Sequence, residues 1–284
     1  MAMRNLSPLI EDATTSIKIY RGKGRKSDLT LKQKVTLLLL KELVEKSNRS
    51  MASMLTIFSL LSNIDLSYKK VERLYSDTEV EMAIYNLHIL MLKKKRVRDV
   101  DASGDGTGYS LTIRKHYASE IQKRKDGAKV AEKSKKKIFV YSFKLLDLKT
   151  KMYICYGTSF RSEKEAFDKA MKMLEEIDVK LKSIRLDKYY SFPSYVDRFE
   201  GTRVYVILRK NATLRGSWKW KRTMIEFVKN TLPYLEQYYQ RENSESEFSV
   251  DKRQTGRKIE QKREDRIDMA LACTNLWHNL FRLY

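Results

Sequence analysis

The sequence predicts an α/β protein: a mixed sheet flanked by helices and preceded by a helical region. Three observations carry that expectation. Residues before about 92 repeat their apolar positions at helical spacing. From Arg96 onward, runs of β-branched and aromatic residues alternate with helical stripes. The order of these segments is a hairpin, then helix, strand, helix, strand and further helices, which is the signature of an α/β sandwich.

The 284 residues are 42% hydrophobic and 11% aromatic, enough for a substantial core, and 3 Pro with 10 Gly exclude collagen-like and low-complexity classes. No apolar run approaches the ~18 residues of a transmembrane helix. The first residues, MAMRNLSPLIED, lack an apolar signal core, so a cytoplasmic protein with no membrane partner is expected. Cys155 and Cys273 lack CxxC spacing and are expected as buried thiols. His88, His116 and His278 are too scattered for a histidine metal cluster, which leaves carboxylates as ligands for any metal. Lys and Arg number 58 against 36 Asp and Glu, a net charge of +22. A fold does not need that excess, and polyanion binding is the usual reason to keep it, with nucleic acid the leading class.

In chain order, residues 31–46 (LKQKVTLLLLKELVEK) read as an amphipathic helix and residues 51–61 as a second, shorter one. After a Ser-Asn-Ile-Asp break, residues 66–77 form a third, and Ser76 or Asp77 caps a longer helix to about Leu92. Two short helices, a break and a helix presenting Ser67, Lys69, Lys70 and Arg73 suit a helix-turn-helix reader; the alternative is a helical bundle with a solvated basic face. Basic stretches at 93–100 and 123–137 bracket a candidate acidic site. Residues 137–147 and 152–157 read as a hairpin around the polar turn 148–151. Ser162 and Glu165 form a capping box for a helix with the stripe Phe167, Ala170, Met171, Leu174 and Ile177. Strands at 179–187 and 204–210 flank a short helical segment. A helical tract over 218–239 is interrupted near Pro233, and the apolar positions of the last helix include Ile267, Leu271, Thr274, Trp277 and Phe281. Trp218 and Trp220 stand among basic residues, where packing is favoured over stacking on a base.

Three acidic positions stand out. Asp105 lies in SGDGTGYS (103–110), after a possible strand over 97–100, where glycines allow a bend and close approach of a ligand; Asp101 is the alternative. Asp187 ends the strand 179–187, where an open sheet presents ligands, with a helix cap as its simpler role. Asp147 also ends a strand but begins a polar turn. Glu245 lies in 238–256, with Glu242 and Glu247 as neighbours. Converging carboxylates suit phosphodiester chemistry with Mg²⁺ or Mn²⁺, most simply two ions, because such cations take hard oxygen ligands. Arg241 and Lys252 would relieve the repulsion among the acids and hold a phosphate backbone.

From Tyr238 the sequence reads Tyr, two residues, Arg241, three residues, Glu245, six residues, Lys252. This resembles the Y-(2)-R-(3)-E-(6)-K signature of DDE transposases of prokaryotic insertion sequences. The segment DGTGY is similar to that family's first-aspartate motif, and IRLDKYYS to its second. The resemblance spans residues from about 95 to 284 and implies an RNase H-like catalytic core over 93–284 with a DNA-binding region over 1–92. It implies Asp105, Asp187 and Glu245 as the catalytic, metal-binding triad, with Tyr238, Arg241 and Lys252 contacting DNA. The expected partners are double-stranded DNA at the element ends and the target, with at least a dimer in the DNA complex, in a prokaryotic cytoplasm at the nucleoid. The short gap between Asp187 and Glu245 leaves no room for a large inserted domain. The alternatives are a catalytically inactive, transposase-derived DNA-binding protein, and a basic RNA-binding or nucleoid protein. The latter would account for the charge but not for the Tyr-Arg-Glu-Lys spacing.

Overall fold

The structure is a computed structural model and describes residues 2–17, 29–44, 48–49, 51–55, 66–111, 139–256, 258–261 and 263–284. The basic stretch 123–137, His116 and part of the helix expected over 51–61 lie outside the described residues.

The N-terminal region holds helices α1 (Ala2–Thr15), α2 (Leu31–Leu43), α3 (Tyr68–Leu74) and α4 (Thr78–Lys94), and residues 51–55 are helical as well. Thr30 starts α2 with a capping box: its hydroxyl accepts from Gln33 N, and the Gln33 side chain accepts from Thr30 N at 2.9 Å. Asp77 caps α4 by accepting from Glu79 N at 3.1 Å. Among the described residues no helix is long and apolar enough to cross a membrane.

The sheet begins with β1 (Asp99–Leu111), followed by the hairpin β2 (Phe139–Asp147) and β3 (Tyr153–Ser159). Helix α5 (Glu163–Glu176) crosses to β4 (Lys180–Leu186), and the short α6 (Pro193–Val196) leads to β5 (Arg203–Tyr205). Strand order is β3-β2-β1-β4-β5. The β1–β2 and β2–β3 pairs are antiparallel, while β1–β4 and β4–β5 are parallel. After β5 come α7 (Trp218–Lys229), α8 (Thr231–Tyr239), α9 (Glu242–Gln254), a two-residue β6 (Lys258–Ile259) beside β1, and α10 (Glu264–Leu283). Asp147 closes the hairpin turn by accepting from Thr150 N at 2.9 Å. Ser162 caps α5 by accepting from Glu165 N at 3.2 Å, but the Glu165 carboxylate accepts from Ser159 Oγ at 2.8 Å and leaves the box half made.

Two elements depart from the sequence reading, and the expected break near Pro233 falls three residues before the proline. The glycine-rich segment is not a bend: β1 runs straight through it. A Cβ on Gly104 would lie 2.6 Å from the Phe143 ring, one on Gly106 would overlap the Glu163 carboxylate, and one on Gly108 would overlap the Phe139 ring. The glycines therefore clear one face of β1 for its neighbours, and Ser103, Asp105, Thr107 and Tyr109 alternate onto the other face. Strand β5 stops at Tyr205 because Val206 N donates to the Tyr234 hydroxyl at 2.8 Å instead of continuing a ladder. The helical tract breaks at Asn230 (φ −125°, ψ 46°), which places Pro233 in the first turn of α8, where a proline is tolerated.

One hydrophobic core joins the N-terminal helices to the sheet, uniting Leu38, Leu87, Phe143, Ile154, Phe167 and Ile184. Helix α10 is the link. Trp277 Nε1 donates to Leu39 O at 2.8 Å, and the Asn279 side chain pairs with the backbone of Tyr153 on edge strand β3 (Tyr153 N to Oδ1 2.7 Å, Nδ2 to Tyr153 O 2.9 Å). His88 Nε2 donates to Ile154 O at 2.8 Å, and burial pushes its pKa down to about 4, so the ring is neutral. Cys155 and Cys273 are free and buried.

Gly157 sets how closely α5 approaches β3. A Cβ there would overlap Ala166 O and lie 2.6 Å from Ala170 N, both backbone atoms. Gly157→Ala is expected to destabilise the protein by about 1–3 kcal/mol, measured as a lowered urea midpoint. An unchanged midpoint would show that α5 is free to shift.

Candidate active site

Strands β1 and β4 and helix α9 each deliver one carboxylate to the same place. Gly104 on β1 pairs with Leu186 on parallel β4, so Asp105 and Asp187 are the next residues along two adjacent strands. Asp187 Oδ1 accepts from Tyr189 N at 2.8 Å and caps the 3-10 turn Lys188–Tyr190, which leaves Oδ2 for the site. Helix α9 packs over this face of β1, with Ser244 Oγ 2.7 Å from Ser103 Oγ, and Glu245 lies in its first turn.

The three acids meet at Arg241, the residue that precedes α9. Its Nη1 lies 3.0 Å from Asp105 Oδ2, and its Nη2 lies 3.5 Å from Asp187 Oδ2 and 2.8 Å from Glu245 Oε1. The guanidinium also stands over the Tyr238 ring, 5.8 Å from its centre. Burial pushes the Asp105 carboxyl up to about 6; Arg241 and the Gly106 N–H oppose the rise, while Asp187 and Glu245 add to it. Burial likewise raises the Tyr238 phenol, against the pull of Arg241. Lys252 Nζ donates to Thr107 Oγ1 at 2.7 Å, two residues beyond Asp105 on the same face. A cleft of about 460 Å³ opens beside the acids, lined by Ile207, Tyr238, Tyr239, Arg241, Glu242 and Glu245.

Of the other acids considered from sequence, only Glu242 lines the cleft. Asp101 accepts from Ser183 and is 3.7 Å from Arg185. Asp147 is occupied in the hairpin turn. Glu247 is buried against Arg282, and Glu242 lies on the exposed side of α9. Lys69, Lys70 and Arg73 are exposed on α3, which Ser67 caps; residues 56–65, which would complete a helix-turn-helix, are outside the described residues. Trp220 is buried and donates to Thr213 O at 2.9 Å, whereas Trp218 is 75% exposed. Two arrangements escaped the sequence reading. Arg185 grips Gln237 near the end of α8 (Nε to O 3.0 Å, Nη2 to Oε1 2.7 Å). Lys144, Tyr153, Asp251 and His278 form a buried polar cluster under α9. Their partners are distant in sequence, so no local pattern marks them.

Among the described residues no group of three or more His, Cys, Asp or Glu is arranged to hold a metal ion. The three carboxylates turn to Arg241 rather than to one another. As a donor set, however, they are all hard oxygen with no thiolate or imidazole, which suits Mg²⁺ or Mn²⁺ and not zinc or copper.

No protein-family model and no solved structure matches the chain. It is 44% identical over 280 residues to the probable transposase for insertion sequence element ISA1214 of Archaeoglobus fulgidus, a match covering 98% of this chain and 83% of that protein. The chain belongs to the transposase family of insertion sequence elements.

The raised Asp105 value makes a prediction about stability. Its carboxyl rises from an ordinary 3.8 to about 6. Between those values the folded state keeps a proton that the unfolded chain has released, so stability falls as pH rises through the window and then levels off. Asp105→Asn removes that dependence. Relative to wild type it is expected to gain about 1–3 kcal/mol between about pH 4 and about pH 7, read from urea midpoints. A difference that does not change with pH would contradict the assignment.

Proposed function

We propose that the chain is a DDE transposase that binds the terminal inverted repeats of an insertion sequence and catalyses metal-dependent DNA cleavage and strand transfer. The observation that carries this reading is the gathering of Asp105, Asp187 and Glu245 from β1, β4 and α9 around Arg241, on the signature spacing, in a chain of the transposase family. The mixed sheet with order β3-β2-β1-β4-β5 supports an RNase H-like catalytic core over 93–284.

In this reading Asp105, Asp187 and Glu245 hold Mg²⁺ or Mn²⁺, two ions in the full site. Such ions supply a hydroxide-like nucleophile at neutral pH and stabilise the departing oxygen. Arg241 offsets part of the acids' negative charge in the free protein and presents the planar fork that also suits a DNA phosphate. Tyr238 beside it, and Lys252 in the last turn of α9, are the further contacts to the DNA backbone in this reading. Water attack at the element end releases a 3′-hydroxyl, and that hydroxyl attacks a target phosphodiester in line. Joining two ends requires at least a dimer on DNA. Residues 1–92 read the element ends, with Lys69, Lys70 and Arg73 on α3 as contacts, and the +22 charge supports general affinity for DNA.

The decisive measurement is Mn²⁺-dependent cleavage of a labelled element-end duplex. Asp105→Asn, Asp187→Asn and Glu245→Gln should each lose cleavage by on the order of a thousandfold or more while still binding DNA, and pairs of them should lose little more than the singles. Glu242→Gln, in the same cleft but off the signature, should keep most activity. Wild-type cleavage by Glu245→Gln would refute the triad.

The end-reading role is tested by substitution, because the N-terminal helices share the core of the sheet and truncation would open it. Lys69→Ala/Lys70→Ala/Arg73→Ala should reduce the preference for end DNA over random DNA. It should also flatten the salt dependence of binding by about 2–3 in log–log slope. An unchanged preference in gel-shift titrations would exclude α3 as the reader.

A further inference from the structure

A second charged cluster sits under α9, wholly out of water, and the proposed reaction does not use it. Lys144 and Asp251 have side chains 0% and 1% exposed and lie 2.9 Å apart. Asp251 Oδ2 also accepts from the Tyr153 hydroxyl at 2.5 Å. Asp251 Oδ1 faces His278 Nδ1 at 2.7 Å, and His278 Nε2 faces Lys151 O at 2.6 Å. Lys144 Nζ further donates to the Tyr109 hydroxyl at 3.1 Å and lies 4.5 Å from the centre of the Tyr153 ring. Burial works against the charge on Asp251, but Lys144, His278 and Tyr153 outweigh it and hold the carboxyl well below the usual range. The four side chains come from β2, β3, α9 and α10.

A buried ion pair is a poor source of stability, since replacing both partners with apolar groups is often neutral or better. What such a pair supplies is direction. The β1–β2 register pairs Asp105 with Lys144, so one rung of the sheet sends both side chains to the face that α9 covers. Asp105 meets α9 at its start, through Arg241, and Lys144 meets it near its end, through Asp251. Between them Phe248 rests on Leu146 and Tyr153, Ser244 bonds to Ser103 and Lys252 to Thr107, while Asp251 is the contact that ties α9 to β2, β3 and α10 at once. Glu245 cannot fix its own place: its side chain is 55% exposed and its ion pair is with Arg241, four residues back. Its position is inherited from the helix.

We infer that Asp251 is a positioning residue: held by Lys144, Tyr153 and His278, it sets the roll and axial position of α9 and so keeps Glu245 opposite Asp105 and Asp187. The catalytic consequence rests on the reading of the three acids as the reacting site, but the positional one does not.

The test uses the full chain and two double variants. Lys144→Met/Asp251→Leu removes the charges and the acceptors together. Lys144→Met/Asp251→Asn removes the charges but keeps the directions: the amide oxygen accepts from the Tyr153 hydroxyl, and the amide still faces His278 Nδ1. Spin labels at Asp99→Cys and Ser249→Cys, both exposed positions, report the placement of α9 against β1 without DNA or metal; the native thiols are buried. The Met/Leu pair should broaden or shift the distance distribution. Its cleavage at saturating DNA should fall by about tenfold to a hundredfold, the scale set by ångström misplacement of a reacting group. DNA affinity should fall much less than the rate, because the basic residues of α3 are untouched. The Met/Asn pair should restore both the distance and the rate. Wild-type distances in the Met/Leu variant, or equal damage in both variants, would overturn the inference. If the Met/Leu variant does not fold, Tyr153→Phe carries the test: a partial broadening is expected, and none would overturn it. A wild-type protein that cuts no DNA would count against the transposase reading while leaving the distance test in force.

Discussion

Three carboxylates from three separate elements approach one point, and a single guanidinium makes that approach possible. At the separations seen around Arg241, unit charges in partly buried surroundings interact by a few kcal/mol each. Without a cation between them the acids would part, and with them β4's end and the start of α9. This requirement shapes the local chain. Arg241 stands where a helix would ordinarily carry a capping side chain, and α9 has no side-chain cap hydrogen bond at its start. Its side chain goes into the site instead, and Glu245 follows one turn later on the same side.

Strand β1 divides the labour of the molecule between its two faces. Toward Phe139, Phe143 and the start of α5 it shows glycines, because any Cβ there would collide with those side chains. Toward α9 it shows Ser103, Asp105, Thr107 and Tyr109, each with a polar partner: Ser244, Arg241, Lys252 and Lys144 in turn. The alternation of a pleated strand thus places tight packing and a row of polar contacts back to back on one thirteen-residue element.

Features governed by neighbours in sequence were the ones legible beforehand. The helix start at Ser162, the β2–β3 hairpin and the break near Pro233 rest on caps, alternation and turn residues within a few positions. The spacing of Tyr238, Arg241 and Glu245 was legible only through its resemblance to a family signature, since Tyr238 and Glu245 stand on two different helices. Strand β1 was only partly legible, because its glycines answer to side chains on β2 and α5. The length of β5 depends on a tyrosine from α8, and Asp251 finds Lys144 across 107 positions of sequence. Such partners are fixed by topology and leave no periodic trace.

The bond from Trp277 to Leu39 joins residues 238 positions apart, and the core closes around it. During synthesis α2 emerges early and waits for α10, holding Leu38 and Leu39 without their native cover until most of the polypeptide has been made. Premature termination before residue 264 therefore yields an exposed apolar surface and not a smaller working protein.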